Sequence, residues 1–209
     1  MKLITDKAKN GLMNPEFKKH LLNPVTKSEM SASEIDELRT KMEIALDTYG
    51  GLGIAANQLG IDKRACLIRV GDVSYFLVNP VITERSTEGF LFIEGCLSIP
   101  KTMETPVRTI RSTKIKVMTD NMGELFFEVN PDGDKERVSD ETLLTVVVQH
   151  EIDHLDGITI RDRVYSTTIT KKQSYGRNEK ILMKSPDNQF VEVKYKKAND
   201  YFIKGYEIV

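Results

Sequence analysis

The most regular alternation of apolar and polar positions in the chain runs from Ser31 to Tyr49. Ile35, Leu38, Met42, Leu46 and Tyr49 recur there every three or four residues, the spacing of one helix face. Ser31-Ala32-Ser33-Glu34 fits a capping box and Gly50-Gly51 ends the run, so a helix is predicted across residues 31–49. A second helix is predicted from Ser139 or Asp140, either of which can serve as N-cap, to Gly157, with Leu143, Leu144, Val146, Val147 and Val148 as its apolar faces. Leu143 and Val147 lead directly along that helix into His150 and His154.

Between the helices the period drops to two. Residues 64–70, 74–78, 89–93, 114–118 and 125–129 read as strands, separated by Gly71-Asp72, by polar residues around 83–88 and by the turn Asn121-Met122-Gly123. Residues 1–30 have no period, and Asn14-Pro15 and Asn23-Pro24 read as turns. Residues 130–137 read as a polar loop, 158–160 as a short strand, 167–186 as polar and aperiodic, and 189–196 with 201–208 as a terminal hairpin. No internal repeat is visible.

Composition narrows the class without choosing the chemistry. At 209 residues the chain suits one domain with an appendage, and no run of 18 apolar residues offers a membrane span. The start, Met1-Lys2-Leu3-Ile4-Thr5, lacks the apolar stretch of a secretion signal, so a reducing, cytoplasmic setting is expected. There Cys66, inside a strand with Leu67 and Ile68, reads as core. A net charge of −1 gives no drive towards DNA. The charge is uneven, however: from Arg161 to Val209 there are 11 Lys and Arg against 6 Asp and Glu. That basic stretch is either a solvated face or a surface for a polyanion such as ribosomal RNA.

The chemistry concentrates at Gln149-His150-Glu151-Ile152-Asp153-His154. Two imidazoles one helical turn apart can hold a divalent metal, and the intervening carboxylate can take a proton from a water at that metal. A third histidine six residues on would complete a protease-type set, but that position is Ile160. The other histidine, His20, is distant in sequence, so a thiolate or carboxylate is the expected third ligand; Cys96, in Glu94-Gly95-Cys96-Leu97-Ser98, offers one. Upstream, Gly51-Leu52-Gly53-Ile54-Ala55-Ala56-Asn57-Gln58 is a run of small residues ending in a long amide, which lets backbone approach a ligand or another strand.

Taken in order, these three stretches resemble the three motifs of the peptide deformylases, with a match over roughly residues 31–160. The resemblance implies removal of the formyl group from the formyl-methionine of new polypeptides. It also implies an α+β fold, with mixed or antiparallel sheets wrapped around a central metal-binding helix. Residues 1–165 would be the catalytic domain and 166–209 a basic C-terminal extension. Cys96, His150 and His154 would hold Fe2+, for which Zn2+, Ni2+ or Co2+ can substitute. Glu151 would be the general base, and the Gln58 amide with the Leu97 backbone N–H would stabilise the oxyanion. Gly51, Leu52, Gly53, Phe92, Leu143, Val146 and Val147 are the candidate substrate-binding residues. Glu94 is expected to pair with Arg108 or Arg111, and Asp153 to orient a histidine or to be solvated. A zinc protease and a non-catalytic metal-binding protein are the rival readings; Cys96 and Gln58 speak against the first, and the full set with Glu151 against the second.

Overall fold

The computed structural model describes residues 2–7, 13–130, 138–165, 178–185, 189–198, 201 and 206–208. The chain divides into two compact units, 1–165 and 166–209.

In the first unit a short helix α1 (Pro15–Leu21) comes from a stretch that reads as a turn. Asn14 caps it by accepting from the Glu16 N–H, and Pro15 opens the helix, where its missing N–H costs nothing. The longest helix, α2 (Ala32–Tyr49), has the capping box expected of Ser31 and Glu34. It buries Leu38, Met42, Ala45 and Leu46, each contributing roughly 1–3 kcal/mol of apolar burial.

Strands β1 (Gly53–Ala55), β2 (Ala65–Val70) and β3 (Val73–Val78) form an antiparallel sheet in that order. Strand alternation sends Ile54, Ala65, Leu67, Phe76 and Val78 to the α2 side. Ala55, Cys66, Ile68, Val70 and Leu77 point the other way, into a core closed by Val148, Ile152 and Leu155 of a later helix, α4. Cys66 is thus a buried core residue with a free thiol. Packing on both faces explains why β2 is apolar almost throughout.

Next come β4 (Val81–Arg85), β5 (Gly89–Glu94), α3 (Pro100–Glu104), β6 (Val107–Ser112), β7 (Lys114–Thr119) and β8 (Gly123–Glu128). β4, β7 and β8 make a second sheet, and β5 pairs with β6. The polar stretch around 83–88 therefore contains the end of a strand rather than only a connection, because β4 lies at a sheet edge with its polar side chains outward. α4 (Asp140–Leu155) starts at N-cap Ser139 and packs against β1, β2 and β8. Gly157, at φ +74°, follows its end and takes the left-handed conformation that glycine adopts without strain. The strand expected at 158–160 is absent: Ile160–Arg163 is a 3-10 turn, with Asp162 accepting from the Thr159 N–H. The architecture is α+β, with antiparallel sheets around a central helix.

In the second unit β9 (Lys180–Lys184) lies between β10 (Phe190–Lys194) and β11 (Glu207–Ile208). The expected hairpin of 189–196 with 201–208 is therefore corrected: both segments pair with β9, not with each other. β9 itself falls in a stretch read as aperiodic, where Ile181 and Met183 are its only core-facing side chains. Residues 131–137 of the polar loop lie outside the described residues.

Candidate metal centre

Two elements bring the chemistry together. α4 presents His150 and His154 one turn apart, with ring centroids 4.9 Å from each other. β5 delivers Glu94 and then Cys96, at the start of a turn in which the Ile99 N–H donates to the Cys96 carbonyl at 2.9 Å. Thr102 of α3 fixes this turn by accepting from the Cys96 N–H at 2.8 Å. Gly95 allows that approach, since a Cβ there would lie 2.8 Å from the Met103 sulfur and 2.9 Å from the Thr102 carbonyl oxygen.

The ligand atoms of Cys96, His150 and His154 lie within 4.8 Å of one another, and all three residues are buried. Cys96 Sγ is 3.2 Å from His154 Nε2. His150 turns Nδ1 to the Glu94 carboxylate at 2.8 Å. A carboxylate at that distance accepts, so Nδ1 carries the hydrogen and the Nε2 lone pair is left free. His20, the remaining histidine, bonds Asp62 and Glu16 instead.

The chemistry of this set fits a divalent ion. Burial, above all, lowers the His154 pKa and keeps that imidazole neutral, as a ligand must be. Burial works the same way on His150, but hydrogen bonds with Cys96 and Glu94 outweigh it and raise its pKa well above the ordinary value. The centre therefore attracts positive charge, which a proton or a cation can satisfy. Two buried polar atoms here have no hydrogen-bond partner among the described residues, His154 Nδ1 and Glu151 Oε2.

Glu94 resolves the choice between two arginines. Arg111, 2% exposed, donates to it from Nε at 2.6 Å and from a terminal nitrogen at 2.7 Å, whereas Arg108 faces solvent. Thr109 donates a further hydrogen bond to the same carboxylate. Burial, the largest influence, acts to raise the Glu94 pKa; the bonds from His150 and Arg111 overcome it and hold the group at about 2. Asp153 is neither solvated nor bonded to a histidine. It is buried, accepts from Arg111 at 2.5 Å, and accepts from Arg163 at 2.7 and 3.0 Å.

Glu151 is buried on the same helix, and burial pushes its pKa up to about 7. Gly53 of β1 faces it so closely that a Cβ would sit 2.7 Å from both Glu151 Oε1 and Val147 Cγ1. Gln58, in the 3-10 turn Ala56–Leu59, accepts from the Ala55 N–H at 2.7 Å and donates from Nε2 to Ser98 Oγ at 3.0 Å. Those two contacts fix which way its amide points. Leu97 is half-buried against Gly51, whose φ is +104°.

The remaining apolar candidates divide. Leu143 and Val147 are half-buried along the stripe that leads to the histidines, and Val146 is buried one position round. Phe92 is half-buried on β5, edge-on to Phe90. Leu52 is 41% exposed and stands at the surface rather than in an enclosed wall. Thr109 lies in no motif, and Ser98 and Asn57 stand inside motifs without a sign of their contacts: the Asn57 amide donates to the His20 carbonyl at 2.9 Å and to the His154 carbonyl at 2.6 Å.

Comparison with known proteins gives one answer. The family described as polypeptide deformylase matches residues 13–170, which takes in α1 and the turn at Ile160–Arg163 as well as the three motifs. The peptide deformylase of Heliobacterium modesticaldum is 39% identical over 142 residues, spanning 68% of this chain and 83% of its own length. That of Natranaerobius thermophilus is 37% identical over 130 residues, 62% of this chain and 76% of its own. Among solved structures, Thermotoga maritima peptide deformylase superposes with a TM-score of 0.59 at 27% identity, covering 79% of this chain and 97% of that one. A probable peptide deformylase from synechococcus phage S-SSM7 gives 0.60 at 29% identity, covering 78% and 99%.

Proposed function

The chain belongs to the polypeptide deformylase family, and from that premise we propose how its residues divide the work of the reaction. The enzyme is a metal-dependent hydrolase that removes the N-formyl group from new polypeptides and releases formate. The observation that carries the assignment of roles is the buried cluster of Cys96, His150 and His154 with the unpartnered Glu151 carboxylate oxygen beside it.

Cys96, His150 and His154 are the ligands. A thiolate with two imidazoles suits Fe2+, and equally accommodates Zn2+, Ni2+ or Co2+; Fe2+ is the ion proposed for the cell. When bound, the ion supplies Lewis acidity, which favours ionisation of an attacking water and polarises the formyl carbonyl. Glu94 holds the His150 ring by accepting its Nδ1–H, and Arg111 holds Glu94. Glu151 takes the proton of the attacking water on its free Oε2 and later hands it to the departing amine. Burial pushes the Glu151 pKa up to about 7, and a dication held by Cys96, His150 and His154 would lower it again and favour the base form.

The formyl oxygen gains charge as water adds. The second Nε2 hydrogen of Gln58 and the Leu97 N–H are the donors proposed for it. The turn closes the Ile99 N–H onto Cys96 and leaves the Leu97 N–H to point elsewhere. Gly51 and Gly53 let the substrate backbone run close to this site. Val147, Leu143, Val146, Phe92 and Leu52 are the side chains proposed to receive the methionine.

The substrate is thus a formyl-methionyl peptide. A cytoplasmic setting suits a ligand thiol that must stay reduced. Residues 1–165 would form the catalytic domain and 166–209 an extension whose surplus of lysine and arginine suits ribosomal RNA. Incubation with formyl-Met-Ala-Ser and with an unblocked longer peptide tests the whole reading. Formate from the first with the second intact is the expected result; internal cleavage would mark a protease.

A further inference from the structure

Residues 3–6 lie outside the stretch matched by the family, yet they touch two of its motifs at once. The Ile4 N–H donates to the Gln58 carbonyl at 2.8 Å, and the Asp6 N–H donates to the Ser98 carbonyl at 2.8 Å. Alternate residues of an extended segment present their N–H groups along one edge, so one strap spans both loops. The two residues it grips are those whose side chains meet, Gln58 Nε2 with Ser98 Oγ at 3.0 Å. A closed ring results: the strap joins the two backbones on one side, and the side chains join on the other.

The strap is itself tied down. Asp6 is buried and its carboxylate pairs with Arg161. The Asp6 carbonyl accepts from the Asn14 N–H at 2.9 Å, and Asn14 Nδ2 donates to the Thr5 carbonyl at 2.9 Å. Ile4 packs into the cluster that contains Cys96, Ile99, Phe17 and Leu21. None of these hydrogen bonds, nor the ion pair, involves a donor atom of a proposed metal ligand. They act on the backbone that carries Gln58 and on the turn that carries Leu97.

We propose that residues 3–6 are a positioning strap that sets the separation of the Gln58 and Leu97 oxyanion donors, with the Asp6–Arg161 pair holding the strap in register. The inference rests on the assignment of those two donors given above. A few tenths of an ångström in donor placement matters for a hydrogen bond that must strengthen as the oxyanion forms, and matters little for binding the uncharged substrate. Loss of the strap should therefore appear in kcat and leave KM and the metal in place.

Ile4→Pro removes the donor to Gln58, and Lys2→Pro places the same ring just outside the bridge as a control. The metal-loaded full-length proteins are compared by kcat, KM, bound metal per chain, melting temperature and amide hydrogen exchange at the Gln58 side chain. For Ile4→Pro a fall in kcat of about 10-fold or more is expected, with KM within about 3-fold, full metal, and faster exchange of the Gln58 amide. Asp6→Ala keeps both backbone donors and should give the same pattern more weakly, which covers the case in which Ile4→Pro does not fold. Equal kcat in Ile4→Pro and Lys2→Pro would overturn the strap, as would a loss of activity matched by loss of metal. If Ile4→Pro fails to fold, an Asp6→Ala kcat at the wild-type level has the same force. Gln58→Ala separates the two levels of the argument. If it turns over normally, the donor assignment fails, and if it is slow while the strap variants are not, the strap alone fails.

Discussion

His150 Nδ1 stands 2.8 Å from Glu94 Oε2, and Arg111 donates to both oxygens of that carboxylate, so the orientation of a proposed metal ligand on α4 depends on a buried ion pair from the β5–β6 hairpin. Glu94→Gln keeps the shape but offers His150 a weaker acceptor. It is expected to reduce metal affinity by about 10- to 100-fold, read by competition with a chelator. Unchanged affinity would mean that the helix alone orients the ring.

Arg111→Met leaves Glu94 and Asp153 buried without their shared cation. The expected loss is about 3–5 kcal/mol of unfolding free energy, measured by urea denaturation of the metal-free protein. A loss below about 1 kcal/mol would show that Arg163 and His150 suffice to balance the two carboxylates.

Glu151→Gln retains the volume and a hydrogen-bond donor but cannot accept a proton. Turnover is expected to fall by roughly 10²-fold or more while bound metal and melting temperature stay near wild type. Near-normal deformylation would require another proton route.

Cys96→Ala and His154→Ala remove proposed ligands instead. Both are expected to lose stoichiometric metal, with activity and some stability lost alongside. Retention of one ion per chain in Cys96→Ala would exclude the thiolate as a ligand. With Fe2+ bound, activity should decay in air, and with Ni2+ it should last longer.

Removal of residues 166–209 is expected to weaken co-sedimentation with ribosomes, most clearly at low salt. Equal pelleting of both forms at every salt concentration would leave the basic surplus as a solvated face.

Much of this centre is legible in the sequence because its parts are local. The capping box at Ser31 and Glu34, the i,i+4 histidines and the N-cap Ser139 each need only a few neighbouring residues to be recognised. β6 escapes for the opposite reason: its inward positions are Val107, Thr109 and Arg111, while Ile110 points to solvent, so its apolar pattern is nearly inverted. The charge that breaks the pattern is the one that serves the site. α1 was readable in part, since Asn followed by Pro is also the start of a helix, but a seven-residue helix gives no period to confirm it. The partners of Glu94 and Asp153 depend on which strand packs over α4, and that no spacing reveals.

Cys96 precedes His154 by 58 residues, and β6, β7, β8 and most of α4 are made in between. As the chain leaves the ribosome, each of the hairpins β5–β6 and β7–β8 can zip from its own turn, but the thiol has no imidazole to meet until α4 has emerged and docked. An ion that joins them closes a loop of that length, so it acts as a late clasp on an otherwise locally assembled chain. No new molecule can take part in trimming the start of any other until its own α4 has emerged and docked.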